Sequence, residues 1–370
     1  MSRNFINNKN QDMIYIFTIH SHITFLAALG TIVYEQLDTR KVILICGSNY
    51  KPKVSEKFQG EIINSLDVEI LKKGKWERLK QINYTISCNN YIKRIIKENN
   101  FIAYIDLMSV FNRYLVMNPN CKGFHIIEEG IVNYADYDDF NLWTADLRQF
   151  TWQWNGFKNW RQMLNAIVRL LRGRSLRMLA MPIHPNLYTL HNGVNAYCFS
   201  EQAFTYTRPE KKQIISFELI LPYIKHDNYL IPDHSCVWIG DTLSSFYNVS
   251  MEHFEQAIMQ LMEEVNPSKE KHKIFLKFRG PESKKEKEIT LNALRAYNFE
   301  IEFIDADVIM ELEFLRAKNL HVLGIASSLL IYAHLMGHKT NSMFKYIPNI
   351  YGVSLMNGYQ TISNKVGFLS

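Results

Sequence analysis

Short apolar runs alternate with helical patterns along most of this chain. The first run, Met13 to Thr18, ends in the polar turn His20-Ser21-His22, and Phe25 to Tyr34 follows with the composition of a buried helix. Val42 to Cys46 is a second run, ending in Gly47-Ser48-Asn49. Strand, helix, strand is the opening of a parallel α/β domain. Leu66 to Leu71 is a weaker strand candidate, Tyr91 to Glu98 reads as a helix, and Phe101 to Asp106 as another buried strand. Phe124 to Ile127 is an apolar run that stops at Glu128-Glu129-Gly130, and Asn195 to Ser200 reads as the last strand of this half. The alternation then restarts. Cys236–Ile239, Lys273–Phe278, Phe299–Ile304 and Leu320–Leu323 read as strands. Met251–Val265, Lys284–Tyr297, Val308–Ala317 and Leu329–Met336 read as helices between and after them. This pattern predicts an α/β fold of two Rossmann-like domains. They span 1–206 and 207–370, with the linker near Thr207 to Lys212 and Pro232-Asp233 as a second place for it. Two such domains facing each other would enclose a cleft at their rims.

The length of 370 residues supports two cores. Apolar residues make up 47% and charged residues 21%, the profile of a globular protein. Ile14 to Tyr34 carries no Asp, Glu, Lys or Arg, which is long enough to span a bilayer. His20, Ser21, His22 and Thr24 at its middle would be costly there, so strand, turn and buried helix is the preferred reading. No basic stretch directly precedes this segment and no clear cleavage site follows, so a signal peptide is not expected. The five cysteines are scattered without a CxxC pair, so neither a zinc site nor a disulfide framework is expected, in keeping with a reducing cytoplasm.

The net charge of +6 matters less than its placement. Leu147 to Ser200 holds no acidic residue, but it contains Arg148, Lys158, Arg161, Arg169, Arg172, Arg174 and Arg177, with Trp152, Trp154, Phe157 and Trp160 at its front. The stretch 157–178 has helical apolar spacing. A basic amphipathic helix within 148–178 suits an anionic membrane surface or a lipid-linked anionic acceptor, or else a solvated face on a core-packing helix. No recognised nucleic-acid motif accompanies the charge, so nucleic acid is not an expected partner.

Ligands of open parallel sheets bind beyond the carboxyl ends of the strands. His20, Ser21, His22, Asp106 and Glu129 would gather on one such rim. Adjacent residues of an extended chain point oppositely, so one of Glu128 and Glu129 faces the substrate. Burial or a like-charged neighbour would tune that carboxylate for proton transfer. Gly324 to Ser328 is a small-residue turn opening a helix, suited to an anion, with Ser327 and Ser328 adding hydroxyls; plain helix capping is the alternative. Lys277 and Arg279 alternate at a strand end and could grip a phosphate. Gly240, Asp241 and Thr242 would form another wall. There is no GxGxxG, Walker, HExxH or GxSxG motif, which weighs against kinase, hydride-transfer and metalloprotease readings.

An acid-acid-glycine strand end, a Lys-x-basic strand end and a late Ser-Ser pair resemble the D/E-D/E-G, His-Pro and Ser-Ser/Thr motifs of bacterial sialyltransferases. The resemblance is to the family 52 lipooligosaccharide sialyltransferases, the capsular polysialyltransferases and their capsule-building relatives. The resemblance implies a GT-B fold and inverting, metal-independent transfer of a nonulosonic acid from its CMP donor to a surface-glycan hydroxyl. It implies no cofactor. Glu129 would be the general base and Glu128 would orient its loop. Lys277, Gly280, Gly324, Ser327, Ser328, Gly240, Asp241 and Thr242 would bind the donor. His20, Ser21, His22 and Asp106 would lie on the acceptor side. The sequence departs at His-Pro, where Arg279 and Gly280 stand and Pro281 comes one place late. Arg279 can stabilise charge on departing CMP but cannot donate a proton. The expected partners are a nucleotide-sugar donor and a glycan or lipid-linked glycan acceptor. The expected location is the cytoplasm, with peripheral membrane contact through 157–178. Two other readings differ in donor or in class: a GT-B transferase using a UDP-sugar, CMP-Kdo or a polyol phosphate, and a non-catalytic glycan- or membrane-binding protein.

Overall fold

The computed structural model describes residues 13–47, 50–65, 77–106, 110–116, 118–134, 160, 164, 193–205, 207–225, 231–241, 249–278, 283–306, 308–325 and 327–347. It divides into two compact units. Unit 1 comprises 1–129 and 144–225, and unit 2 comprises 130–143 and 226–370.

Unit 1 is built on a 7-stranded sheet. Its strands are β1 (Met13–Ile19), β2 (Val42–Cys46), β3 (Glu61–Asn64), β4 (Asn100–Ile105), β5 (Cys121–Ile127), β6 (Ala196–Cys198) and β7 (Lys212–Ile214). The order is β3-β2-β1-β4-β5-β6-β7 and every pairing is parallel. The order reverses at β1, whose neighbours are β2 and β4, so the crevice of this sheet opens between the ends of β1 and β4. Helix α1 (His22–Tyr34) follows β1 directly. Ser21 caps it in a reciprocal box with Thr24, and Ile23 through Ile32 are buried along its whole circumference. A helix apolar on all sides is a core helix or a membrane span. Here the uncharged stretch from Ile14 is divided between a central strand and a 13-residue helix. No described helix is long and apolar enough to cross a membrane. A Cβ on Gly30 would lie 2.8 Å from Ile215 Cδ1, so glycine lets α1 approach the end of β7 closely. Helices α2 (Glu77–Ile96) and α3 (Val110–Val116) flank β4 in the chain.

Unit 2 holds a 5-stranded sheet of β8 (Cys236–Ile239), β9 (His272–Lys277), β10 (Phe299–Phe303), β11 (His321–Gly324) and β12 (Lys339–Ser342). Its order is β10-β9-β8-β11-β12, again parallel throughout, with the reversal between β8 and β11. Its helices are α4 (Met251–Val265), α5 (Lys284–Ala296), α6 (Met310–Arg316) and α7 (Ser328–Leu335). Phe254, Ile258, Leu261 and Met262 of α4 and Leu294 of α5 pack on Trp238, Ile274 and Leu276 of the sheet. The two units share one topology, and a pair of Rossmann-like units in one chain is the composition of the GT-B fold.

Several elements differ from the pattern-based expectation. β3, β7, β12 and α3 are additional, and α2 begins well before Tyr91. The candidate strand Leu66–Leu71 lies outside the described residues, as does 157–178 except for Trp160 and Leu164, which are helical and exposed. The stretch near Thr207 to Lys212, expected to link the domains, instead leads into β7. That strand pairs with β6 through Ala196–Lys212, Tyr197–Gln213 and Cys198–Ile214, so unit 1 continues to Lys225. The polar composition that suggested a linker belongs to an edge strand with one face open to water.

Candidate active site

Three residues, each just past a strand end in unit 1, converge. His20 follows β1, Asp106 follows β4 and Glu129 lies two places beyond β5. The parallel register pairs Phe17 with Tyr104 and Ile105 with Ile126, which carries all three to one rim. His20 Nδ1 bonds Asp106 Oδ2 directly. His20 Nε2 stands 3.4 Å from Glu129 Oε1. Asp106 is 4% exposed, and its other oxygen, Oδ1, accepts from Asn112 Nδ2 at 3.1 Å and from Thr18 Oγ1 at 3.4 Å. The His20 backbone N–H donates to Thr24 Oγ1 at 3.0 Å, so the box that caps α1 also fixes the histidine.

The electrostatics follow from the geometry. Burial alone would lower the His20 pKa, but hydrogen bonds to Asp106 and Glu129 and their charges outweigh it and push it up to about 10. The ring is therefore an imidazolium at neutral pH. Burial raises the Glu129 carboxyl and the Asp106 charge adds to this, while His20 pulls the other way; the net direction is upward.

The paired acids part as an extended chain requires. Glu128 is fully buried and accepts from the Phe199 backbone N–H at 2.8 Å, tying the end of β5 to the exit of β6. Glu129 turns to His20. Gly130, at φ +144°, then breaks the strand in a conformation that favours glycine, and its N–H donates to Asn133 Oδ1 at 3.2 Å. The His22 Nδ1 lies 3.0 Å from the Tyr50 hydroxyl. Ser21, half-buried, caps α1, and the buried Asp106 is the partner of His20.

In unit 2, the segments after β8 and β11 flank the reversal of strand order. Gly240 and the buried Asp241 follow β8, and the Gly240 N–H donates to Lys277 O at 2.8 Å. Gly324 ends β11, where a Cβ would come 2.7 Å from Ile239 O. Ser342 Oγ at the end of β12 donates to Ile325 O and fixes the turn. Ser327 caps α7 in extended conformation, its Oγ accepting from Leu329 N at 3.3 Å. Ser328 is the first helical residue. A hydroxyl that accepts a helix N–H can also donate, so capping and anion binding are compatible here. Lys277, read from the sequence as a phosphate grip beside Arg279, is engaged within unit 2. Its Nζ donates to the carbonyls of Asp305 and, at 3.1 Å, Val308, which holds the segment after β10. Arg279, Gly280, Pro281 and Thr242 lie outside the described residues. No group of His, Cys, Asp and Glu that could hold a metal is found among the described residues.

Strand-end topology foretold the meeting of His20, Asp106 and Glu129. It missed Thr18, Thr24, Asn112 and the Phe199 amide, whose roles depend on side-chain direction.

A family model described as Alpha-2,8-polysialyltransferase (POLYST) matches residues 4–344. Similar solved structures include a sialyltransferase from Photobacterium damsela, with 12% identity over 97% of this chain and 80% of that one and a TM-score of 0.49. The S. aureus MnaA–UDP structure is 10% identical over 89% of this chain and 79% of that one, with a TM-score of 0.48. The UDP-GlcNAc 2-epimerase of Methanocaldococcus jannaschii is 11% identical over 96% and 92%, with a TM-score of 0.46. No curated protein matches the sequence.

Proposed function

The chain belongs to the alpha-2,8-polysialyltransferase family and is a glycosyltransferase acting on glycans; from that premise we propose that it transfers a nonulosonic acid from a CMP donor to a glycan hydroxyl with inversion. The observation that carries the mechanism is the Glu129 carboxylate, mostly buried, raised in pKa and held by His20 on the rim of unit 1. A general base works best with a pKa near the working pH, and burial moves Glu129 in that direction.

In this reaction the acceptor oxygen attacks the anomeric carbon of the donor sugar. Its proton passes to Glu129, and the bond from the anomeric carbon to the phosphate oxygen breaks with both electrons leaving on CMP. A single displacement inverts the centre. The α7 N-terminus, with Ser327 and Ser328, supplies donors for the negative charge on the donor. Arg279 adds positive charge to the leaving phosphate without giving a proton. Gly240, Asp241, Gly280 and Thr242 complete the donor side, and Lys277 shapes it through the carbonyls it holds. The chemistry needs no metal, because a phosphate monoester leaving group is stabilised by these donors. The acceptor is a surface glycan, capsular or lipid-linked, and the basic stretch 157–178 gives contact with the anionic inner face of the membrane.

A mass-spectrometric transfer assay with CMP-activated sialic, legionaminic, pseudaminic and Kdo donors tests the reading. Transfer from at least one of them, unaffected by EDTA, is expected. Glu129→Gln should reduce kcat by at least ~10²-fold, the lower end of the usual effect of removing a general base, and leave CMP affinity unchanged by calorimetry. A Glu129→Gln chain with normal turnover would remove the catalytic assignment.

A further inference from the structure

We propose that His20 and Asp106 are a positioning pair for the base: Asp106 holds the imidazole, and the imidazole fixes the orientation of the Glu129 carboxylate toward the acceptor. This rests on the reading of Glu129 as the base, and it moves His20 and Asp106 from acceptor contact to control of that base.

Each link has its own anchor. Asp106 is buried and its Oδ1 is set by Asn112 and Thr18, so Oδ2 has one direction in which to meet a ring. His20 is set at its backbone by Thr24 and at Nδ1 by Asp106. Its Nε2 is thereby committed as a donor toward Glu129 Oε1. The charged groups facing His20 among the described side chains are Asp106, after β4, and Glu129, after β5. His22 of α1 turns to Tyr50, Glu128 turns to Phe199, and α3 presents the neutral Asn112.

The test is the pH profile of transfer by the full-length chain, using the donor that the transfer assay identifies and an oligosialic acid primer. Without Asp106, burial dominates at His20 and the ring loses its proton at lower pH. Asp106→Asn should therefore move the basic limb of the kcat profile from near 10 toward neutrality. Asp106→Asn and His20→Gln should both lower kcat by ~10²-fold, the effect of misplacing a reacting group, with KM for donor and primer unchanged. Far- and near-ultraviolet circular dichroism spectra of Asp106→Asn that match wild type control for folding. If Asp106→Asn does not fold, the kcat-against-KM split of His20→Gln decides. A wild-type kcat and unmoved basic limb in these variants, beside an inactive Glu129→Gln, would overturn the positioning role and leave the base in place. An active Glu129→Gln, or a wild-type chain that transfers none of the donors, would overturn the functional reading and this proposal together.

Discussion

At the scale of single residues, His20 joins stability to pH. Its folded pKa is raised to about 10 by Asp106 and Glu129, well above the 6.5 expected of an unfolded histidine. A group with a raised folded pKa stabilises the folded state fully below its unfolded pKa, and that contribution is lost as pH rises through the folded value. Wild type should therefore exceed His20→Gln in urea midpoint at pH 6, and the gap should close between pH 7 and 10. A gap constant over that range would mean that His20 is not held as an imidazolium. His125 is the useful contrast. It is also partly buried, on β5, but it meets Tyr104 and Tyr197 rings and the Asn195 N–H instead of carboxylates, and burial pushes its pKa down to about 4. Sequence alone gives both as histidines near apolar runs. What separates them is whether a partner strand ends in an acid at the same height.

At the scale of elements, most strands and helices were legible because burial writes itself into composition. Val42–Cys46 is buried at all five positions and reads as a continuous apolar run, as central parallel strands do. The elements that escaped lack that mark. β3 (Glu61–Asn64) is mostly exposed, and β7 (Lys212–Ile214) has only three residues. β12 (Lys339–Ser342) is polar in sequence yet buried at Thr340, Asn341 and Ser342; hydrogen bonds satisfy Asn341 through His321 and Glu264, and Ser342 through Ile325, while Thr340 Oγ1 has no hydrogen-bond partner among the described residues. Hydrophobic patterning cannot find a strand whose burial is bought with hydrogen bonds. The site followed the same division. The rim positions could be read from strand ends, whereas the contacts at the rim required side-chain directions. Gly324 shows how tightly β8 and β11 are joined. An added Cβ would meet the backbone oxygen of Ile239 at 2.7 Å, and a backbone atom in a paired strand cannot swing aside. Gly324→Ala should cost about 1–3 kcal/mol through overpacking between β8 and β11. Its urea midpoint should fall, while Ser328→Ala, at a partly exposed helical position, should leave the midpoint nearly unchanged.

At the scale of the whole molecule, the two units repeat one topology with different chemistry at the strand reversal. Unit 1 gathers His20, Asp106 and the Glu129 carboxylate on its rim, and unit 2 has a glycine-serine turn opening a helix. In the first, Glu129 meets His20, which Asp106 holds; in the second, Ser327 accepts from the Leu329 N–H. Effects of mutations in separate networks add, whereas those within one network do not. A cycle of Glu129→Gln and Ser327→Ala therefore distinguishes a divided site from a single one. Loss of a hydrogen bond to a charged phosphate costs about 1.5–3 kcal/mol. Ser327→Ala should weaken CMP binding accordingly, by roughly 10- to 100-fold in calorimetry. Glu129→Gln should not change CMP affinity, and the double variant should bind CMP as Ser327→Ala does. UDP should bind the wild-type chain more weakly than CMP, as expected of a donor side suited to a cytidine monophosphate. If Glu129→Gln alters CMP affinity as much as Ser327→Ala does, or if the double variant departs from the sum, the carboxylate belongs to the nucleotide site and the division of labour between the units fails.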